Sequence, residues 1–265
     1  MVSGQEEQRQ AGGSRLDDSE VERYSRQLLL DGFAEPEQLR LTRARVAVIG
    51  CGGLGGPAAL HLVGAGVGRI LLVDPDLVSL DNLHRQVAFR ADDIGRPKVQ
   101  VLGAALRHLN PGARVEEMME HLRPESLDRT LLGQDLVLEC SDQPSLKFAV
   151  NDWCVSQAVP LVVGGAIGWR GQVTSVTAQT GCFRCLFRMP SPEMERSCRA
   201  AGVIGPLVGV MGSLQALEGV RLLVGPSPGE GRLTDFDGTT GRWRSMRLVR
   251  DPGCSAHLAD PGIRP

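Results

Sequence analysis

Short apolar runs alternate with longer amphipathic stretches between about residues 20 and 165. A nearly continuous apolar run is typical of a strand that is buried on both faces of a sheet. Four such runs predict parallel strands over Val46–Ile49, Ile70–Val73, Leu136–Glu139 and Leu161–Val163. The remaining stretches predict helices over Tyr24–Arg43 (interrupted by Gly32 and Pro36), Pro57–Gly66, Pro97–Leu109 and Gln143–Ala158. This order predicts an α/β fold, in which a Rossmann-like, mostly parallel sheet carries helices on both faces.

The pattern changes after Gly165, where apolar and polar residues alternate strictly and predict antiparallel strands that extend the sheet. The alternating segments are Gly171–Ala178, Gly231–Asp237 and Gly241–Val249. The apolar stretch Val203–Leu223 predicts a buried or interface helix, because its most apolar part is shorter than the roughly 20 residues of a bilayer span. Short connections predict one domain over residues 20–265, and the polar, glycine-rich residues 1–19 predict a flexible tail.

Composition and charge exclude some partners. The chain has 265 residues, of which 42% are hydrophobic, and a formal net charge of −2. This balance argues against nucleic acid and anionic membranes as partners. Seven cysteines without a recognisable secretion signal predict a cytoplasmic protein with reduced thiols. Of the 29 cationic residues only Lys98 and Lys147 are lysines, a bias that a GC-rich genome would explain.

A glycine-rich segment follows the first predicted strand. Gly50, Gly52 and Gly55 have the spacing G-x-G-x-x-G, with Gly53 between them. Glycines let the backbone approach a phosphate, and the N-terminus of the next helix offers unpaired N–H groups. Asp74 stands 19 residues after Gly55, at the end of the second strand, where a carboxylate can bind ribose hydroxyls. The pattern favours a nucleotide over a purely structural turn, but it fits NAD as well as ATP.

Four further residues favour a triphosphate. Asn82 and Arg85 lie in DNLHRQ, Lys98 lies in GRPKVQ, and Arg26 lies upstream in RYSRQ. A triphosphate carries more charge than the pyrophosphate of NAD, and several cations would stabilise the charge on a departing pyrophosphate. Considered alone, each of these residues is better explained as part of the polar surface, with the cations in surface ion pairs.

Asp142 follows the predicted strand Leu136–Glu139, at the sheet edge where ligands of open α/β sheets bind. A carboxylate there could bind Mg²⁺, which prefers oxygen ligands and is usually shared with phosphates. It could also cap the helix that is predicted from Gln143. The spacing does not separate these two roles, and they are compatible.

The cysteines fall into three groups. Cys182 and Cys185 form C-x-x-C, and Cys254 and His257 form C-x-x-H, so these four ligands could close a structural, tetrahedral zinc site. Cys198 stands between arginines and before an apolar helix, where a thiolate nucleophile is favoured, although a chance surface cysteine has the same pattern. The other three are interpreted as small hydrophobic core residues: Cys51, Cys140 and Cys154.

Several segments in a fixed order are more specific than any single motif. They are RYSRQLLLDGF, VAVIGCGGLGGPAALHLVGAGVG, DNLHRQ, GRPKV, DLVLECSD, GCFRCL and CRAAGVIGPLVGVMGSLQALEGVRLL. Together they run from about residue 23 to about residue 257 and resemble the ThiF/MoeB/HesA family, bacterial relatives of the ubiquitin-activating enzymes. The run Cys198–Leu223 is more similar to the ThiF branch than to the MoeB branch.

The resemblance implies an adenylyltransferase that uses ATP with Mg²⁺ and holds Zn²⁺. It would activate the C-terminal Gly-Gly carboxylate of a small ubiquitin-like sulfur carrier as an acyl-adenylate. A sulfur donor, such as a cysteine desulfurase or a rhodanese, would then give the thiocarboxylate. The resemblance also implies a homodimer, with a nucleotide-binding half at about 20–165 and a carrier- and zinc-binding half at about 166–265. Thiamine biosynthesis is the favoured pathway, and activation of the molybdopterin synthase small subunit or of another carrier is the alternative.

Roles follow from the matching positions. Arg85 and Lys98 would contact phosphates, Asp142 would act through Mg²⁺, and Arg26 would reach the triphosphate of the neighbouring subunit. Cys198 would match an acceptor cysteine that handles an acyl or persulfide intermediate in some members. The nucleotide would lie against the rest of the set, which is Gly50, Gly52, Gly53, Gly55, Asp74, Asp76, Asn82 and Gln86.

Three residues depart from the family pattern. Gln143 stands where Asn often follows the magnesium-binding Asp, Lys147 where Arg is common, and His257 where a fourth zinc-binding cysteine is usual. None of them replaces a principal residue, so an active enzyme is expected. Two other function classes are kept as alternatives. One is an NAD-dependent oxidoreductase, which the glycine fingerprint alone would fit, and the other is a non-catalytic module that binds a ubiquitin-like partner.

Overall fold

Eight strands form a single mixed sheet in the computed structural model, which describes residues 15–187, 202–225 and 231–258. The strands are β1 (Arg45–Ile49), β2 (Arg69–Val73), β3 (Arg114–Met118), β4 (Leu136–Glu139), β5 (Leu161–Ile167), β6 (Arg170–Val176), β7 (Arg232–Asp237) and β8 (Arg242–Arg247). Their order across the sheet is β3-β2-β1-β4-β5-β6-β7-β8. Strands β1 to β5 are parallel and β6 to β8 are antiparallel additions, which confirms the predicted fold class.

Helices connect most of the strands. Within the described residues they are α1 (Asp18–Leu28), α2 (Glu35–Arg43), α3 (Gly55–Gly64), α4 (Lys98–Leu109), α5 (Leu127–Leu131), α6 (Pro144–Ser156), α7 (Phe183–Leu186), α8 (Gly205–Val224) and α9 (Ser255–Leu258). The predicted helix Tyr24–Arg43 is thus two helices separated by residues 29–34. Pro36 does not interrupt the second one but lies in its first turn, where a missing N–H costs nothing. The sequence predicts Pro97 as the first helical residue of α4, whereas the structure has it one position earlier, as the N-cap.

Two further segments differ from the sequence-based expectation. Strand β3 was not predicted, because RVEEM shows neither an apolar run nor clean alternation and none of its residues is buried. It pairs with β2 at the edge of the sheet. Helix α1 begins at Asp18 behind the capping residue Asp17, so the predicted tail of residues 1–19 overlaps the first helix by two residues.

Each face of the sheet carries its own apolar core, because successive strand residues point to opposite faces. Val46 and Val48 of β1 belong to a cluster with residues of α3, α4 and α8. Ala47 and Ile49 belong to a second cluster with residues of α5 and α6. Burial on both faces explains why the central strands are continuous apolar runs. Because both faces of the sheet are covered, a ligand can reach these strands at their carboxyl ends.

Helix α8 is, within the described residues, the one helix whose length and composition would suffice for a membrane span. It packs against α3, β5 and β6, and 56% of its apolar stretch of 18 residues is buried in the protein. Its buried face includes a polar residue, Gln215, whose amide donates to the carbonyls of Glu139 at 3.1 Å and Val162 at 3.3 Å. These contacts agree with the predicted buried helix and tie it to strands β4 and β5.

Candidate functional site

A cavity of about 840 Å³ opens at the carboxyl ends of the parallel strands. Ligands of open α/β sheets bind at this edge, where the strand order reverses between β1 and β4. The volume is within the range of small-molecule sites. Ten residues singled out from the sequence line it: Gly50, Gly52, Gly53, Asp74, Asp76, Asn82, Arg85, Gln86, Lys98 and Asp142.

The glycine-rich loop forms the wall beside β1. Gly50 has a φ of +88°, in the left-handed region that favours glycine, and lies close to the backbone of Cys140. A Cβ on Gly55 would collide with the carbonyl oxygen of Gly50, so Gly55 lets helix α3 begin directly against the loop. Gly52 and Gly53 line the cavity, whereas Gly55 does not. Gly55 therefore serves the close packing of helix α3 against the loop, and it does not contact the space where a ligand would bind.

Asp74 at the end of β2 is buried and holds the loop in place. Its carboxylate accepts hydrogen bonds from the backbone N–H groups of Cys51 at 2.6 Å and Asp76 at 2.8 Å. Burial raises the pKa of the Asp74 carboxyl, and the positive charge of Lys98 opposes that rise. A carboxylate has about four acceptor positions, so two are left for hydroxyl groups in the cavity.

Two cations face the same space. Lys98 is 5% exposed and its Nζ lies 2.8 Å from Oδ2 of Asp76. The guanidinium of Arg85 donates to the carbonyl of Asp81 at 3.0 Å and to Oδ1 of Asn82 at 2.9 Å. Neither arrangement is an ordinary surface ion pair. The side chain of Lys98 is buried, and the groups that accept hydrogen bonds from Arg85 here are neutral. Both side chains are held in place before a ligand binds.

Asp142 lines the cavity on an exposed turn after β4. Helix α6 begins at Pro144, and its N-cap is Gln143. The predicted capping role of Asp142 is therefore wrong. The extended backbone that proline imposes on the preceding residue fits Gln143 at this position. The Asp142 carboxylate is left to face the cavity.

Glu139 and Lys147 also belong to this site, and sequence reasoning gave them no role there. Glu139 is fully buried and pairs with Lys147, which lines the cavity. Burial raises the pKa of the Glu139 carboxyl, and Lys147 opposes the rise. A signal was present in the sequence: a carboxylate inside an otherwise apolar strand needs a partner, since buried charges are almost always paired.

Besides Gly55, one predicted site residue within the described part of the chain does not line this cavity although it was expected to act on the nucleotide. Arg26 is exposed on α1 and does not line the cavity of its own chain. Its predicted role requires a second subunit. Cys198, the predicted acceptor cysteine, lies outside the described residues.

The four predicted zinc ligands come together in space. Ligand atoms of Cys182, Cys185, Cys254 and His257 all lie within 4.8 Å of one another. The Sγ of Cys182 is 3.8 Å from that of Cys185 and 3.7 Å from that of Cys254. A tetrahedron with zinc–sulfur bonds of about 2.3 Å has edges of about 3.8 Å, so the sulfur positions fit zinc. The backbone N–H of Asp251 donates to Cys185 at 3.3 Å, as expected of a thiolate ligand.

The sequence profile of the ThiF family matches residues 24–256. The chain belongs to the ThiF family. The match spans every candidate site residue except His257, which is one position beyond its end.

Two curated relatives of this ThiF-family chain are adenylyltransferases. It is 45% identical over 241 residues to the sulfur carrier protein ThiS adenylyltransferase of Escherichia coli (strain K12), covering 90% of this chain and 96% of the relative. It is 41% identical over 244 residues to the molybdopterin-synthase adenylyltransferase of Salmonella typhimurium (strain LT2), covering 91% and 98%. The predicted enzyme class, a nucleotidyltransferase, is confirmed, and the dehydrogenase alternative has no support among these relatives.

Solved structures share the fold of the ThiF-family chain. The crystal structure of E. coli MccB with ATP has a TM-score of 0.79 and 25% sequence identity, covering 91% of this chain and 75% of that one. The structure of PaaA has a TM-score of 0.76 at 22% identity and covers 94% and 91%. The second likeness concerns the fold alone.

Proposed function

We propose that this ThiF-family chain uses ATP to adenylate the C-terminal Gly-Gly carboxylate of a small ubiquitin-like sulfur carrier. The observation that carries the proposal is the continuity of one cavity. It joins the glycine-rich loop and Lys98 to Asp142, and then continues to strands β5 and β6. A nucleotide alone would need only the part of the cavity from the glycine-rich loop to Asp142. The part along β5 and β6 therefore leaves room for another substrate beside the phosphates.

The lining of that second part suits a peptide tail. Gly165 and Ala166 of β5 contribute little side-chain bulk, so a tail of two glycines would fit close to the backbone. Farther out, the amide of Gln172 donates to Asp235 at 3.2 Å, and both residues line the cavity beside Arg170. These polar groups match the hydrogen-bonding groups of an extended peptide better than a nicotinamide ring.

The chemistry explains why such a site needs cations and no general base. A carboxylate is a poor electrophile, whereas an acyl-adenylate has AMP as a good leaving group. The attacking carboxylate is already ionised, so the chain has to align it with the α-phosphorus and neutralise charge. Lys98 and Arg85 would bind phosphate oxygens, and Asp74 would bind ribose hydroxyls. Asp142 would hold Mg²⁺, which when bound shares the phosphate charge.

We assign the carrier to thiamine biosynthesis, which the 45% identity to the ThiS adenylyltransferase supports. The 41% identity to the molybdopterin-synthase adenylyltransferase makes the molybdopterin carrier the second candidate. A cysteine desulfurase or rhodanese of the cytoplasm would supply sulfur to the acyl-adenylate. A homodimer would bring Arg26 of one subunit to the triphosphate in the other, and the exposure of Arg26 on α1 supports this arrangement.

Exchange of labelled pyrophosphate into ATP tests the proposed reaction. We expect exchange with a thiamine-pathway carrier that ends in Gly-Gly, because adenylation is reversible until the acyl-adenylate is consumed. The matched control is the same carrier with its terminal carboxylate converted to an amide, which should support no exchange. Exchange only with the small subunit of molybdopterin synthase would contradict the assignment to thiamine biosynthesis but support the proposed adenylation reaction. Absence of exchange with both carriers would contradict the proposal.

We also propose that Cys182, Cys185, Cys254 and His257 bind one structural Zn²⁺ per chain. Three sulfurs and an imidazole are a donor set that zinc favours, and four protein ligands leave no open position for catalysis. The site would join the segment after β6 to the C-terminal helix α9.

Replacing Cys182 with Ser should lower the zinc content from one ion per chain to below about 0.3, because a hydroxyl is a poor ligand in a thiolate site. The melting temperature should fall as well, since a ligand of the folded state stabilises it. Metal analysis of the purified variant measures the first effect. Cys154→Ala is the control, because Cys154 is buried in α6 outside the cluster. Full zinc content in Cys182→Ser would refute this ligand set.

A further inference from the structure

Glu139 and Lys147 form a buried ion pair beneath the turn that carries Asp142. Glu139 ends β4, and Lys147 lies near the start of α6. The ammonium of Lys147 donates to the Glu139 carboxylate and, at 2.8 Å, to the carbonyl oxygen of Gly164 in β5. The pair therefore joins two parallel strands and a helix at the floor of the cavity.

Hydrogen bonds extend from this pair to both neighbours of Asp142. The Glu139 carboxylate accepts from the backbone N–H of Ser141 at 3.2 Å and from its hydroxyl group. The hydroxyl oxygen of Ser141 in turn accepts from the N–H of Gln143 at 3.3 Å. Asp142 thus stands between two residues that are fixed, directly or through one hydroxyl, to a buried carboxylate.

Lysine usage points to the same place. The chain has 29 cationic residues and only two lysines, Lys98 and Lys147, and both line the cavity. A genome bias towards arginine explains the other positions but does not explain why the two exceptions meet at one site. An ammonium group is compact and carries three donors, and Lys147 uses two of them inside the protein.

We propose that Glu139 and Lys147 are positioning residues, which fix the Ser141–Gln143 turn so that the Asp142 carboxylate is held where Mg²⁺ and the phosphates bind. This inference rests on the proposed function. A carboxylate on an unsupported turn would have to be ordered in each catalytic cycle, whereas a supported one is already in place. Stability alone does not require the pair, because apolar residues of similar volume often replace a buried ion pair without loss.

The test is the double variant Glu139→Leu/Lys147→Met, which removes both charges and leaves neither one unpaired. We expect a melting temperature close to that of the wild type and a kcat for pyrophosphate exchange that is lower by about three- to tenfold. The Mg²⁺ concentration for half-maximal exchange should rise by about fivefold or more, while the KM for the carrier stays within about twofold. Ser141→Ala removes one hydroxyl only and should shift the Mg²⁺ dependence in the same direction by less.

A second ion pair, between the buried Glu218 and the half-buried Arg221, provides the matched control. Glu218 and Arg221 pair at 2.7 Å on α8, outside the cavity lining. Glu218→Leu/Arg221→Met should keep the wild-type Mg²⁺ dependence. If losing any ion pair of this kind weakened the use of Mg²⁺, this variant would show the same shift as Glu139→Leu/Lys147→Met.

The outcomes separate this inference from the proposed function. Wild-type exchange tests the function, and the shift in Mg²⁺ dependence between wild type and variants tests the pair. If the wild type shows no exchange, the same comparison is made on binding of ATP with and without Mg²⁺ by calorimetry. If the double variant does not fold, Ser141→Ala decides. An unchanged Mg²⁺ dependence in the variants that fold overturns the positioning role.

Discussion

Replacing Lys98 with Ala should lower carrier-dependent pyrophosphate exchange by about 100- to 1,000-fold, the range found when one preorganised donor is lost from an active site. Lys98 is the first residue of α4 and is held by Asp76 at 2.8 Å. In the proposed reaction an ammonium enclosed in this way would face the phosphates without reorganisation, so its removal would leave developing charge uncompensated. The side chain of Asp76 is 58% exposed and can be hydrated without Lys98. The buried Asp74 loses a compensating charge, so the melting temperature should fall modestly while the variant stays folded.

Arg96→Ala is the matched control for this measurement. Arg96 is a half-exposed cation two residues before Lys98, pairs with Asp93, and does not line the cavity. Its loss should leave exchange at the wild-type level at saturating ATP and carrier. A loss of less than about tenfold in Lys98→Ala would exclude a main role in charge compensation. An equal loss in both variants would instead indicate a disturbed loop.

Asp142→Ala should reduce exchange by at least about tenfold, which corresponds to about 1.4 kcal/mol of transition-state stabilisation. The carboxylate lines the cavity, is exposed and does not cap α6, so its removal should not affect folding. Initial rates of exchange over a series of Mg²⁺ concentrations measure the effect. The loss should persist at high Mg²⁺, because the ligand itself is missing.

Two comparisons sharpen the Asp142 measurement. Asp142→Asn keeps the size of the side chain and removes its charge, so it should lose nearly as much as Asp142→Ala. Asp92→Ala, at an exposed acid outside the cavity, should behave as the wild type. Exchange that is unchanged in Asp142→Ala would remove this residue from the mechanism.

The central strands could be predicted because burial on both faces leaves a direct trace in the sequence. Strand β4 matches its predicted bounds, and β1 and β2 each differ by one residue at the start. The glycine loop and the Cys182, Cys185, Cys254 and His257 cluster were recognisable from spacing, since backbone approach and tetrahedral coordination each restrict residue type. Strand β3 left no such trace, because an exposed edge strand can be polar on both faces.

The parts of the site that escaped prediction depend on contacts between distant segments. The apolar run around Glu139 indicated a strand, but the run does not show that Lys147 and Gly164 converge on its carboxylate. Asp142 looked like a helix cap because the exact start of α6 is set by Pro144, one position later than expected. Local patterns give the elements, whereas the pairing of side chains across β4, α6 and β5 is a property of the packed sheet.

The scarcity of lysine has a practical consequence for labelling. Reagents that acylate primary amines have only two side-chain targets in the whole chain, Lys98 and Lys147, besides the terminal α-amino group. Because both side chains line the cavity, a label found on either by mass spectrometry reports access to that cavity and nothing else on the surface. Coupling the protein to an amine-reactive support would likewise attach it through its N-terminus or consume the site itself.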